Sequence, residues 1–189
     1  SYIKDTSREI KKVLKDDDLI ILRSTVRIGT TRNIVEPILN EKSVKFDLSY
    51  CPERAVEGSA LKELNYLPQI IGGLNKKSVD RSKKIFSKIT KKIIPTSSLE
   101  TAEMIKLIDN SSRDVFFAYA NEIARICDNI GINALEVINS GKLNYDRTDI
   151  AKPGLVGGPC LHKDPYILSE SINKKGIKAE ITLSARNIN

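Results

Sequence analysis

The stretch Gly154-Leu155-Val156-Gly157-Gly158-Pro159-Cys160-Leu161-His162-Lys163-Asp164 sets a thiol after a flexible glycine loop and just before a segment that opens like a helix. A helix N-terminus carries the positive end of its dipole, and Lys163 adds a cation, so the spacing predicts a thiolate that forms more readily than in an ordinary cysteine. For any single cysteine an inert buried thiol is the competing reading, and the glycine loop with its helix start weighs against it here. Cys51, after a strand and beside Pro52, and Cys127, on an apolar helical stripe, lack such surroundings and read as structural.

Two further groups could do chemistry. Glu53, in Cys51-Pro52-Glu53, follows the stretch 46–50 that reads as a strand, and open parallel sheets place ligands beyond the C-terminal ends of their strands. Lys106 and Asn110 are four residues apart, so on a helix they share a face and can both donate to one oxygen. That spacing alone is common. Three cysteines without paired spacing and a single histidine, His162, suit reduced thiols rather than a disulfide framework or a zinc site, so no metal is expected.

The elements that hold these residues follow from periodicity. Residues 3–14 place Ile3, Ile10, Val13 and Leu14 on one helical face, Asp16-Asp17-Asp18 breaks the pattern, and 19–22 reads as a buried strand. Ser24 to Thr31 leads into a helical stretch at 32–39, followed by a strand at 46–50. Residues 69–73 read as a short strand closed by glycines, 78–89 as a helix and 92–94 as a last strand. The alternation predicts α/β class: the second part of a doubly wound nucleotide-binding domain, without the Gly-x-Gly-x-x-Gly of its first strand. From 99 to 130 the residues Met104, Ile105, Ile108, Val115, Tyr119, Ile123, Ile126 and Cys127 recur at helical spacing, which predicts one helix long enough to join domains or subunits. Gly131 caps it, Asn133 starts a shorter helix that Gly141 ends, and 142–161 is irregular and rich in glycine. Asp164-Pro165 supplies an N-cap and a first-turn proline for a helix to about residue 175, Gly176 follows its end, and 179–189 is helical.

Ser24-Thr25-Val26, Pro52-Glu53 with Glu57-Gly58, Glu103-x-x-Lys106-x-x-x-Asn110 and Gly157-Gly158-x-Cys160-x-x-Lys163-Asp164 occur in that order, and in this the chain resembles the UDP-glucose and GDP-mannose dehydrogenase family. The resemblance covers nearly the whole chain, and the cysteine motif is its most specific piece. It implies a partial Rossmann-like NAD-binding domain at 1–97 followed by an all-helical central domain at 98–189. It also implies NAD as cofactor, a UDP-sugar as substrate and a homodimer formed through 99–130. The family oxidises the primary alcohol of the sugar to a carboxylate with two NAD and a covalent cysteine intermediate. By this likeness Cys160 is the nucleophile, Lys106 and Asn110 steady the developing negative oxygen, and Asp164 and Glu53 serve the proton transfers and the hydrolytic water. Thr25 sits beside the nicotinamide, and Glu57 and Lys163 serve the cofactor. Glu53, Lys106, Asn110, Gly157 and Arg147 lie at the substrate. The stretch 51–58 with Gly158-Pro159-Cys160 looks more like the N-acetylhexosamine branch. His162 departs from the proline or small residue that relatives often carry there. The complete enzyme also has an N-terminal glycine loop and a C-terminal UDP-binding domain, so a fragment that folds or dimerises without turning over is one reading of the chain.

Composition keeps two other readings open. Apolar residues make up 40% of the chain, and no run approaches the roughly 18 needed to span a bilayer, so a cytoplasmic protein with no membrane partner is expected. The net charge of +7 favours anionic partners, but the lysine pairs lie on helix-like segments without interleaved aromatics, which fits solvated faces better than a nucleic-acid site. A basic helical dimerisation or nucleic-acid-binding module leaves the glycine loop around Cys160 unexplained. A hydroxy-acid dehydrogenase of the phosphogluconate type shares the long helix and a lysine and asparagine pair, and does not need Cys160.

Overall fold

Asp17, at φ 65°, reverses the chain between helix α1 (Tyr2–Val13) and strand β1 (Asp18–Leu22), a backbone shape that aspartate tolerates better than most residues. The computed structural model describes residues 2–56, 58–173 and 176–189. Within them the chain forms two compact units, Ser1–Lys106 and Leu107–Asn189.

In the first unit β1 pairs in parallel with β2 (Phe46–Tyr50), β2 runs antiparallel to β3 (Gln69–Gly73), and β3 pairs in parallel with β4 (Ile93–Pro95). The sheet order is β1-β2-β3-β4. The apolar run of β1 predicts burial, yet all five of its residues are half-buried, because it pairs only with β2 at one edge of this sheet. Ile3, Ile10 and Leu14 pack on Val35, Leu39 and Leu48, as their spacing predicts. Val13 does not join them and is 71% exposed. It lies about 80° round the helix from Ile3 at 3.6 residues per turn.

The helical stretch after β1 begins as a π-helical turn, Thr31–Val35, and becomes α-helical only at α2 (Glu36–Asn40). Pro37 explains the change, since it has no N–H to give the carbonyl of Asn33 and its ring would crowd that carbonyl. Helix α3 (Ala60–Tyr66) has no counterpart in the periodicity because none of its residues is buried. Helix α4 (Lys76–Phe86) starts two residues earlier than predicted, where the Asn75 side chain accepts from the Ser78 N–H at 2.9 Å.

Gly72 brings β3 against the start of helix α5 (Leu99–Ile130). A Cβ there would lie 2.6 Å from the Ser98 carbonyl oxygen and 3.0 Å from Leu99 Cα, both backbone atoms that cannot swing aside. Gly72→Ala is therefore expected to lower stability by about 1–3 kcal/mol, the usual cost of overpacking, seen as a lower urea midpoint at unchanged slope.

The second unit holds the rest of α5 with α6 (Ala134–Lys142), α7 (Asp164–Asn173) and α8 (Glu180–Ile188). Gly131 turns the chain after α5 at φ 75°, and the Asn133 side chain caps α6. Gly141 lies inside α6, which ends one residue later than predicted. The predicted end of the helix after Asp164 falls on residues 174–175, outside the described residues. Buried Cys127, Ile138, Ala151, Leu161, Leu168 and Ala185 lie among these helices and the irregular segment between α6 and α7. The predicted apolar stripe of α5 is only partly buried: Ile108, Tyr119 and Ile126 are exposed, and with Phe116 and Ile130, which lie outside the predicted stripe, they are between 38% and 64% exposed. At 100° per residue these five fall within an arc of about 80°. Among the described residues no helix is long and apolar enough to cross a membrane.

Candidate functional site

Parallel pairing of β1 and β2 fixes the first group of candidate residues. Leu22 is level with Tyr50, and the Cys51 N–H donates to the Leu22 carbonyl at 2.9 Å, so the loops carrying Thr25 and Glu53 leave the sheet side by side. Thr25 is half-buried between Ser24, whose carbonyl accepts from the Tyr50 hydroxyl at 3.2 Å, and Val26, which packs into the core with Tyr50 and Leu99. Glu53 is held from several directions. Its Oε1 accepts from the N–H groups of Arg54 and Ala55, both at 2.8 Å, and its Oε2 accepts from Arg23. Burial works to raise its carboxyl, but the backbone donors and Arg23 outweigh burial and hold it below the usual glutamate range. A carboxylate held this way is ionised at neutral pH and suited to orienting a water or a hydroxyl. Glu57 lies outside the described residues.

Glu103 opens the sequence motif that contains Lys106, and its side chain is fully buried. It accepts from the N–H groups of Gly29 and Thr31 and from the Thr31 hydroxyl, and so fastens the turn that follows Thr25. Burial pushes its carboxyl above the usual range, against these three donors.

In the second unit the residues around Cys160 form one turn of backbone. The His162 N–H donates to the Gly158 carbonyl, and the Lys163 and Asp164 N–H groups both donate to the Cys160 carbonyl, at 3.2 and 2.9 Å. Gly158 sits at φ 91°, open to glycine and strained for other residues. A Cβ at Gly157 would lie 3.3 Å from the His162 ring, so the histidine that departs from the family pattern packs across the glycine loop. Asp164, with a fully buried side chain, accepts from Asn110 Nδ2 at 2.6 Å and from Lys163 Nζ at 2.8 Å. The reading of Asp164 as a cap is thereby corrected: α7 starts at Asp164 itself, and its carboxylate is taken by a side chain of α5 and by its own neighbour.

Of the three thiols only Cys160 is exposed. Cys51 is buried, and desolvation pushes its thiol up to about 12; Cys127 is buried on α5.

The structure thus brings Asn110, Lys163 and Asp164 together with the backbone of Cys160, and sets Thr25 and Glu53 on neighbouring strand ends. Lys106 is half-buried on α5, one turn before Asn110. Arg147 is exposed, and its guanidinium lies 5.1 Å from the centre of the Tyr145 ring. Sequence reasoning misses Arg23, which steadies Glu53, and the buried pair Asp114 and Arg186, which touches the Cys160 loop. Asp114 lies one helical turn past Asn110 and carries that much signal; Arg186 carries none. Among the described residues no group of three or more His, Cys, Asp or Glu could hold a metal ion.

Residues 1–90 match the NAD binding domain, and residues 100–189 the central domain, of the UDP-glucose/GDP-mannose dehydrogenase family. The UDP-N-acetyl-D-mannosamine dehydrogenase of Methanococcus maripaludis is 38% identical over 190 aligned positions, which cover 100% of this chain and 42% of that protein. The enzyme of the same name from Methanocaldococcus jannaschii is also 38% identical, with 100% of this chain and 43% of that protein covered. The solved structure of UDP-D-ManNAc dehydrogenase from Pyrococcus horikoshii superposes with a TM-score of 0.91 at 34% identity, covering 100% of this chain and 46% of that one. The chain spans less than half the length of these relatives. With two of the family's domains matched in order along nearly its whole length, the chain belongs to the UDP-glucose/GDP-mannose dehydrogenase family.

Proposed function

We propose that this chain carries the NAD-binding and cysteine-bearing parts of an enzyme that oxidises the sugar primary alcohol of a UDP-sugar to a carboxylate. The observation that carries this reading is Cys160, the one exposed thiol, at a turn whose next residues include a buried Asp164 held by Asn110 and Lys163. NAD, when bound, supplies the hydride acceptor for both oxidations. Thr25 and Glu53, on adjacent parallel strand ends, offer a hydroxyl and a fixed carboxylate of the kind that suits the polar edges of a dinucleotide. Glu57 and Lys163 are assigned to the cofactor by the family motif alone.

Chemically, the alcohol loses a hydride and a proton to become an aldehyde. The Cys160 sulfur adds to the aldehyde carbon, and the carbonyl oxygen takes a proton, giving a thiohemiacetal. Loss of a second hydride and that proton leaves a thioester, and water then displaces the thiol as the carboxylate forms. Lys106 and Asn110 are the donors for the negative oxygen at each addition. Asp164 and Glu53 accept or hand on protons and orient the water. Gly157 gives the substrate close approach to the loop, and Arg147 is the substrate-side cation. The names of the relatives favour an N-acetylhexosamine as the sugar. The exposed apolar arc of α5 supports a homodimer formed through 99–130. Two of the lysine pairs are matched by acids, Lys11 with Glu41 and Lys12 with Glu9 in one, Lys76 with Asp80 and Lys77 with Asp17 in the other, which disfavours a nucleic-acid partner at those faces.

The test is stoichiometry in the full-length protein: UDP-N-acetylmannosamine and NAD are expected to give two NADH for each uronate. One NADH per product, or oxidation of 6-phosphogluconate in its place, would overturn the reading in favour of the hydroxy-acid type.

A further inference from the structure

A single run of polar contacts joins the two ends of the Cys160 loop by way of α5 and α8. The Gly154 N–H donates to Asn121 Oδ1 at 2.8 Å, and Asn121 Nδ2 donates to Asn189 Oδ1 at 2.9 Å. Asn189 Nδ2 donates to the carbonyl and to Oδ1 of Asp114, at 2.9 and 3.0 Å. Asp114 Oδ2 lies 2.9 Å from Arg186 Nε, and Arg186 Nη1 donates to the Leu161 carbonyl at 3.1 Å. The side chains of Arg186 and Asp114 are 5% and 0% exposed. Their Nε to Oδ2 contact is an ion pair at an angle too poor for a hydrogen bond, so these two atoms rely on charge attraction alone.

Burying such a pair is a poor route to stability, because desolvation offsets most of the attraction. What it does accomplish is directional. With Nε facing Asp114, the planar guanidinium presents a second nitrogen to the carbonyl of the residue that follows Cys160. The backbone bonds from Gly158 to Asp164 set the shape of the turn but not its place on the helices around it. The segment from Leu143 to Lys163 contains no helix or strand, so its placement depends on side chains of this kind.

We infer that Arg186, held by Asp114, is a positioning residue for Cys160. It ties the C-terminal side of the loop to α8 and α5, while Asn121 ties the N-terminal side, and between them the loop keeps one arrangement. The benefit to turnover, a sulfur held where it can meet an aldehyde carbon, rests on the nucleophile assignment proposed above; the order of the loop does not.

The chain suits a direct test because Cys51 and Cys127 are buried, so a thiol-reactive nitroxide attaches to Cys160 in the folded protein. Arg186→Lys keeps the positive charge beside Asp114 but places it on a single nitrogen, which does not reproduce the fork whose Nε and Nη1 span Asp114 and the Leu161 carbonyl. The expected result is a folded variant in which the rotational correlation time of the Cys160 label shortens by about threefold or more. An unchanged correlation time in the folded variant, with only the melting temperature moved, would assign Arg186 a purely structural role and overturn the inference. Should the variant not fold, native-state hydrogen exchange of the unmodified chain decides. The Gly154 and Asp164 amides opening together with those of α8 supports the inference, and opening on the order of tenfold more readily than α8 overturns it. A full-length protein that fails to oxidise UDP-sugars would sink the proposed function while leaving the label result intact.

Discussion

In the full-length protein Cys160→Ala is expected to stop uronate formation, a loss on the order of 10⁴-fold or more, comparable to removing the nucleophile from other covalent enzymes. The methyl group cannot add to the aldehyde, so the reaction has no thiohemiacetal to oxidise and no thioester to hydrolyse. The first hydride removal needs no sulfur, so a trace of NADH, no more than one per active site, is expected before the reaction halts. Because Cys160 is exposed, the same substitution is expected to shift stability by no more than about 0.5 kcal/mol, which thermal melting would check. A variant with normal uronate output and normal melting would end the thioester mechanism outright. A variant that makes no uronate but also melts early would show the loss to be one of fold, and Cys160→Ser, close in size to the thiol, separates the two.

The cysteine motif was legible in the sequence because its geometry is local. Gly158, Cys160 and Asp164 fall within one turn of backbone, and residue types alone predict a flexible bend before a helix. Helix α5 was legible to its end residues for a similar reason, since a run of 32 residues gives the 3.6-residue period many chances to show. Strands β2 and β3 are as legible, the first as a short stretch of Phe46, Leu48 and Tyr50 alternating with polar residues and the second as a short apolar run closed by glycines. What the sequence withheld is choice of partner. Nothing in these short stretches says that β2 takes β3 antiparallel while it takes β1 parallel. Asn110 meets Asp164 across 54 residues, and Arg23 meets Glu53 across 30, distances over which spacing carries no information. Helix α3 shows the opposite limit: it buries no residue, so it imposes no apolar period on its sequence. Val13 failed for a finer reason, as an apolar type near the right face is not the same as an apolar residue on it.

Glu103 and Asp114 share a property that links these two kinds of information. Both are fully buried acids on α5, eleven positions apart, and each faces groups fixed by distant parts of its own unit. Neither adds to an apolar pattern, so periodicity treats both as interruptions. Chemically they are where the helix is told what to hold: Glu103 the turn after Thr25, Asp114 the side chain that reaches the Cys160 loop.

Asp114→Ala should therefore be among the most damaging single substitutions in the chain, with an expected loss of about 3–5 kcal/mol, the range seen when one member of a buried ion pair is removed. The reason is the partner left behind. Arg186 cannot shed its charge, its side chain is 5% exposed, and among the described residues no other acid is paired with it. Asn189 would also lose a hydrogen bond to the carboxylate. Replacing both members, Asp114→Ala with Arg186→Met, removes the stranded charge and leaves an apolar side chain of similar reach, so the double variant is expected to be more stable than Asp114→Ala alone. Urea denaturation of the four proteins gives the coupling between the two positions directly. A double variant no better than Asp114→Ala would mean that the lost carboxylate, not the orphaned guanidinium, sets the cost. A loss below about 1 kcal/mol for Asp114→Ala would show that water reaches Arg186 and that the pair is not buried in solution.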